Sequence, residues 1–207
     1  MGEPLILVTG TPGTGKTSVG RFLASILGCT IVEGSEVMIR LGAAMPDPTG
    51  RHTMVVDPDK GIKAAREAVT GEGCTLVATL YPSLWMDAVG ELVPFILLLR
   101  THPRTLCNRL SSRGWPEAKI VENCVAEALG IVASEIEEWW HMTVEVDTTR
   151  ASPEEAGLKA LDLVERWHTG VHIDWLSIDE GLVEDLTRWL SGINLNEYWS
   201  GERGSRY

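Results

Sequence analysis

The chain has no apolar run approaching the roughly 18 residues needed to cross a bilayer, and its first residues lack the charged and apolar regions of a secretory signal. Together these absences lead us to expect a soluble, cytoplasmic protein without a membrane partner. Cysteine is scarce as well. Cys29, Cys74, Cys107 and Cys124 lie far apart with no C-x-x-C pair, which argues against a zinc knuckle or a redox motif and leaves buried free thiols as the expectation. Basic charge is in deficit: the net charge of −11 argues against nonspecific binding of nucleic acid, because phosphate neutralisation needs clustered Lys and Arg. The acidic excess reads as solvated surface. No internal repeat is evident, and His52, His141, His168 and His172 form no recognisable metal-ligand spacing.

What is present points to one compact α/β domain, with 207 residues of which 44% are hydrophobic and 23% charged, enough to bury a core. Residues 9 to 18 read Thr-Gly-Thr-Pro-Gly-Thr-Gly-Lys-Thr-Ser, and Gly10, Gly15, Lys16 and Thr17 satisfy the phosphate-loop pattern G-x-x-x-x-G-K-[ST]. In that pattern glycines let backbone N–H groups turn toward phosphate oxygens, the lysine reaches the β- and γ-phosphates, and the threonine hydroxyl is placed for Mg²⁺. The flanks agree. Leu5 to Val8 form a short apolar run suited to a buried parallel strand, and Val19, Phe22, Leu23, Ile26 and Leu27 recur at helical spacing before Gly28, a natural helix terminator.

Strand-like and helix-like segments then alternate, the signature of a parallel sheet wound with helices. Strands are expected at Thr53 to Val56, Thr75 to Thr79, Val93 to Leu99 and Val144 to Val146. Asp57-Pro58 reads as an N-cap followed by proline, His102-Pro103 opens a helix, and Ser152-Pro153-Glu154-Glu155 has the form of a capping box. A long helical pattern runs from Ile120 through Cys124, Ala128, Val132 and Ile136 to Trp139, and Leu161, Val164 and Trp167 suit one buried face. Packing of C-terminal helices is the expected role of Trp167, Trp175 and Trp189. The stretch from 191 to 207 reads as a mobile tail after a single domain over 1–190.

Phosphoryl transfer needs cations brought to the transferred group. Arg104, Arg109 and Arg113 cluster after the fourth expected strand, and the spacing of Arg109 and Arg113 puts both on one helical face, where they could point at a phosphate chain. Gly114 would allow a hinge into a lid.

These motifs resemble one family, the CINAP-like adenylate kinases of the isoenzyme-six type found in archaea and eukaryotic nuclei. The stretches that carry the resemblance are Thr9 to Thr17, Val55-Val-Asp57, Leu97-Leu-Leu-Arg100, Arg109-Leu-Ser-Ser-Arg-Gly-Trp115, Lys119-Ile-Val-Glu-Asn123, Ala126-Glu127 and Ile173-Asp174-Trp175. The resemblance implies a three-layer P-loop NTPase fold of the nucleoside-monophosphate-kinase type, with a parallel five-stranded sheet flanked by helices. It implies interconversion of ATP plus AMP with two ADP, using Mg²⁺. Mapped by position, Gly13, Gly15, Lys16, Thr17 and Ser18 would meet the ATP phosphates, Thr17 would ligate the metal, and Arg113 would be the lid arginine. Lys16, Arg113 and Arg109 would then carry the catalysis. A monophosphate region would span about 33–55, bordered by Asp57, and a short lid about 112–122. The family also implies an ATPase role in small-ribosomal-subunit maturation, with a ribosomal protein as partner.

One position departs from the pattern. Where the family carries Asp-x-His after its third strand, this chain has Ala78 and Leu80, with no Asp or Glu between Cys74 and Met86. The aspartate orients Mg²⁺ through its waters, which alanine cannot do, and Asp57 and Glu33 are the acidic residues available as stand-ins. The monophosphate region also lacks the family's tyrosine- and acid-rich pattern, and Trp115 stands where tyrosine is usual. Three readings follow: an active adenylate-type kinase, an ATP-binding ribosome-assembly factor with weak or lost transfer, or an unrelated small-molecule P-loop kinase of shikimate or cytidylate type.

Overall fold

The computed structural model describes residues 5–47, 54–69 and 73–192. Among these residues the seven strands are β1 (Leu5–Thr9), β2 (Thr30–Glu33), β3 (Ala44–Pro46), β4 (Met54–Val56), β5 (Thr75–Ala78), β6 (Ile96–Arg100) and β7 (Thr143–Asp147). Five of them form one wholly parallel sheet in the order β2-β5-β1-β6-β7, while β3 and β4 pair antiparallel as a separate ribbon.

Both faces of the sheet are covered, which explains why β1 and β6 read as unbroken apolar runs instead of alternating. Leu5, Leu7, Val77, Ile96 and Leu98 face a layer containing α2 (Gly34–Arg40), α3 (Pro58–Ala68) and α4 (Pro82–Val89), through Val37, Met38, Ala64, Ala65 and Trp85. Ile6, Val8, Leu76, Leu97, Leu99, Val144 and Val146 face the other layer, formed by α1 (Lys16–Leu27) and α8 (Pro153–Glu165), through Val19, Leu23, Ala156 and Ala160. Leu97, Leu98 and Leu99 are fully buried, and each contributes about 1.5–3 kcal/mol of transfer free energy. Two helices, α5 (Pro103–Ser112) and α6 (Glu117–Ala128), pack as a hairpin through Leu106, Leu110 and Cys124, followed by α7 (Ile131–Glu135). The short α9 (Trp175–Ile178) and α10 (Leu182–Ser191) close over α6, with Trp175 and Leu182 buried beside Ala128. Among the described residues no helix is long and apolar enough to cross a membrane.

Local chemistry sets the helix ends as expected. Asp57 caps α3 by accepting from the Lys60 N–H, His102 caps α5, and Ser152 and Glu155 form a reciprocal capping box on α8.

Several expectations are corrected. The sheet does have five parallel strands, but the segment around 53–56 is not one of them: Met54–Val56 belongs to the antiparallel ribbon, and the strand at the edge next to β5 is Thr30–Glu33. Four residues, with Thr30 exposed and the next three half-buried, make too weak a pattern to read. The helix through 120–139 is broken, because Gly130 adopts a left-handed φ of 65° that separates α6 from α7, and a 3₁₀ turn spans Glu137–Met142. The cysteines are paired instead of free, as Cys29–Cys74 and Cys107–Cys124. Proximity, not spacing, decides this: β2 and β5 run in register from Thr30 and Thr75, which sets the preceding cysteines side by side, and the α5–α6 hairpin does the same for the other pair. Trp167, placed on a buried face by periodicity, is 85% exposed with a φ of 52°, because α8 ends at Glu165. The expected tail lies almost wholly outside the described residues, as does part of the expected monophosphate region.

Candidate active site around the glycine-rich loop

β1 delivers the chain to Gly10 at the carboxyl edge of the sheet, and α1 starts at Lys16. Gly10 has a φ of 142°, and a Cβ there would lie 2.3 Å from the carbonyl oxygen of Leu99. The loop therefore fits against β6 only with glycine. Gly13 and Gly15 line the same turn with φ of 95° and 104°. No side chain caps α1 and no acidic residue stands in its first turn, so its N–H groups and the positive end of its dipole are presented to an anion. Ser18, on the second residue past Lys16, is exposed.

Lys16 Nζ donates to the carbonyl oxygens of Gly10 (2.7 Å) and Thr11 (3.1 Å), folding the ammonium over the loop. Its pKa falls from 10.5 to about 8 because desolvation outweighs the attraction of Glu127 and Glu33, while Arg113 adds repulsion. Between these two values the unfolded chain holds a proton that the folded chain has released. This group's contribution to stability therefore improves as pH rises through that window and is at its poorest below pH 8. Lys16→Met should be more stable relative to wild type below pH 8 than near pH 10.5, as read from denaturant midpoints. A stability difference that stays constant with pH would refute the assignment.

The Thr17 hydroxyl donates to Glu33 Oε2 at 2.9 Å. Glu33 ends β2, its side chain is 18% exposed, and Arg21 lies 3.5 Å from its other oxygen. Behind the loop, Thr11 donates to Glu127 on α6. Glu127 also accepts from Arg100 Nε (2.8 Å), the Thr101 N–H (3.0 Å) and Trp175 Nε1 (3.1 Å). Arg100 reaches Glu145 (3.0 Å) and the carbonyl of Ile173 (3.1 Å). The side chains of Arg100, Glu127 and Glu145 are 3% exposed or less, so every charge here has partners out of water. Leu97–Arg100, Ala126-Glu127 and Ile173–Trp175, three separate stretches that carried the family resemblance, thus meet in one buried network behind the phosphate loop. Periodicity gave no role to Glu127, although a carboxylate on the buried face of α6 beside Cys124 and Ala128 is itself a signal of a satisfied buried site.

The three arginines separate. Arg104 pairs with Asp179 (2.8 Å) and Asp185, fastening α5 to the C-terminal segment; it does not join the site. Arg109 donates to Thr101 Oγ1 (3.2 Å) and to the carbonyls of Thr148 (2.6 Å) and Thr149 (3.4 Å), and its pKa is lowered by burial and by neighbouring Arg113. In this arrangement it braces the loop after β7. Thr148 Oγ1 in turn donates to the carbonyl of Thr14 (2.9 Å), carrying that bracing to the phosphate loop. Arg113, the C-cap residue just past α5, is exposed at the tip of the α5–α6 hairpin, and its charge is felt at Lys16. The expected lid is the turn from Arg113 to Pro116 followed directly by α6, with Gly114 at a φ of 70°. Asp57 is engaged as the α3 cap and pairs with Lys60 at 3.9 Å, which accounts for its presence without a ligand. A cavity of about 440 Å³ opens between the phosphate loop and the hairpin, lined by Pro12, Leu80, Trp115, Lys119 and Asn123 among others.

Sequence and structure comparisons agree with this layout. A family profile described as "AAA domain" matches residues 6–130. Proteins named "Putative adenylate kinase" are similar across most of the chain. That of Sulfurisphaera tokodaii is 31% identical over 88% of this chain and 90% of its own length. The one from Pyrobaculum aerophilum is 33% identical over 90% and 94%. Among solved structures, a shikimate kinase from Acinetobacter baumannii matches with a TM-score of 0.59 at 20% identity, covering 79% of this chain and 94% of that one. A gluconokinase from Sinorhizobium meliloti matches with 0.52 at 17%, covering 79% and 92%. At those identities the likeness is one of fold, a three-layer α/β P-loop architecture. With its glycine-rich loop, its parallel sheet and these relatives, the chain belongs to the adenylate-kinase-like family of P-loop proteins.

Proposed function

We propose that the protein is a nucleoside-monophosphate kinase of adenylate-kinase type, transferring the γ-phosphoryl group of ATP to AMP to give two ADP. The observation that carries this reading is the phosphate loop itself: uncapped amides at the start of α1, with Lys16 and Thr17 beside them, and a cavity next to the loop for an acceptor. Lys16 exchanges the carbonyls of Gly10 and Thr11 for phosphate oxygens. The amides of α1 hold the phosphate chain, and Arg113 at the hairpin tip adds positive charge as the lid approaches. Thr17 and its carboxylate partner offer hard oxygen donors of the kind Mg²⁺ takes, and Thr17 would hold the ion. When bound, Mg²⁺ supplies charge neutralisation on the β- and γ-phosphates.

A coupled assay of ADP formation, with ATP alone and with each nucleoside monophosphate in turn, tests the proposal. Product formation should depend on AMP. Equal product from ATP alone, or none at high enzyme concentration, would overturn it.

Ala78 and Leu80 favour a second reading, an ATP-binding assembly factor that transfers phosphate poorly and acts with a small-subunit ribosomal protein. Under that reading Ala78→Asp should raise turnover by roughly 10²-fold, the scale of one well-placed electrostatic group. Under the first, the substitution changes turnover little, because the carboxylate is already supplied.

A further inference from the structure

β2 and β5 are parallel neighbours, and their register pairs Glu33 directly with Ala78. Register partners in a sheet project their side chains to the same face from strands about 4.8 Å apart. Here that face is the α1 side. A Cβ on Gly20 of α1 would meet Leu76, Ile31 and the Cβ of Ala78, and Glu33, two residues beyond Ile31, reaches Thr17 on the same helix. The carboxylate that Ala78 lacks is thus present one strand away, already bonded to the hydroxyl expected to touch the metal. Its second oxygen, Oε1, is buried and accepts no hydrogen bond; the nearby Arg21 guanidinium, 68% exposed, lies at ion-pair distance only. A buried carboxylate oxygen that accepts no hydrogen bond has room for a further partner.

Resting on the reading of the loop as an ATP site, we infer that Glu33 replaces the missing β5 aspartate as the carboxylate that positions Mg²⁺ with Thr17, the function having moved from β5 to β2. Among the described residues no group of three or more acidic, histidine or cysteine side chains could hold a metal ion. This agrees with an ion that arrives on ATP and keeps most of its waters, needing only one or two protein oxygens. Glu33 acts through those waters and through Thr17, as a positioning residue.

Calorimetric titration of ATP into the whole protein, without Mg²⁺ and at increasing MgCl₂, tests this apart from turnover. Glu33→Gln should leave Mg²⁺-free ATP affinity intact but raise the half-saturating Mg²⁺ concentration by about 10–100-fold, the usual cost of losing an outer-shell partner. Adding Ala78→Asp to that variant should bring it back to the wild-type range, which also shows that the variant fold is sound. An unchanged Mg²⁺ requirement in Glu33→Gln overturns the inference. So does a matching loss of Mg²⁺-free affinity, which would make Glu33 a support of the loop, and so does failure of the double variant to recover. If the wild type binds no ATP under either condition, the kinase reading falls first and the inference with it.

Discussion

Replacing Lys16 by alanine should lower phosphoryl transfer by at least about 10²–10³-fold, the cost of removing one preorganised charge from a dry site, and should weaken ATP binding in parallel. The ammonium rests on the carbonyls of Gly10 and Thr11, so it is tethered over the place where phosphate oxygens would lie and needs only to exchange acceptors. Burial has lowered its pKa, so its charged form lacks the solvation that a polyanion can replace. The fold should survive the change. Water can satisfy two loop carbonyls, and loss of a desolvated ammonium removes a cost. Calorimetry with ATP, turnover with ATP and AMP, and the melting temperature of the variant together check this expectation. Unaltered ATP affinity in a folded Lys16→Ala protein would remove the basis of the proposed function.

Glu127→Leu should have the largest effect on stability, about 3–5 kcal/mol, because it removes one of the two carboxylates paired with a buried arginine. In a domain of this size such a loss lowers the melting temperature by roughly 10 °C. Arg100 would keep Glu145, but the Thr101 N–H, the Trp175 indole and the Thr11 hydroxyl would lose their acceptor together. Each is buried, so each bears a desolvation cost. Replacing Arg100 and Glu127 by leucine and Glu145 by glutamine together should cost less than Glu127→Leu, since no buried charge is then left without its partner. Thermal denaturation of the single and the combined variant decides the matter, and a combined variant worse than the single would show that the network is held by more than these charges.

Features governed by neighbours in the chain were legible. The phosphate loop, the caps at Asp57, His102 and Ser152, and the apolar strands β1, β5, β6 and β7 each follow from a few consecutive residues whose preferences agree. Features that depend on distant residues were not. Arg104, Arg109 and Arg113 lie along one helix and its C-cap and share a charge, and only the packing of α9 and α10 and of the loop after β7 shows that the first two are occupied with Asp179, Asp185 and Thr148. Trp167 and Trp175 looked alike as aromatic residues, yet one is exposed and the other buried against Leu182 and Ala128. β2 was missed because an edge strand of four residues borrows its identity from pairing with β5.

The chain order of residues determined that a polyphosphate-binding turn follows β1, because left-handed glycines and a lysine at fixed spacing can build one from local backbone geometry alone. The absence of an acid at position 78 was equally plain on the page of letters. That Glu33 lies beside the gap, and that Arg100, Glu127 and Ile173–Trp175 close behind the loop, was decided only when parallel pairing and helix packing brought together segments tens of residues apart. Carboxylates and guanidinium groups carry no record of their partners in the sequence, since their interactions are set by distance and by the exclusion of water, and both exist only in the folded chain.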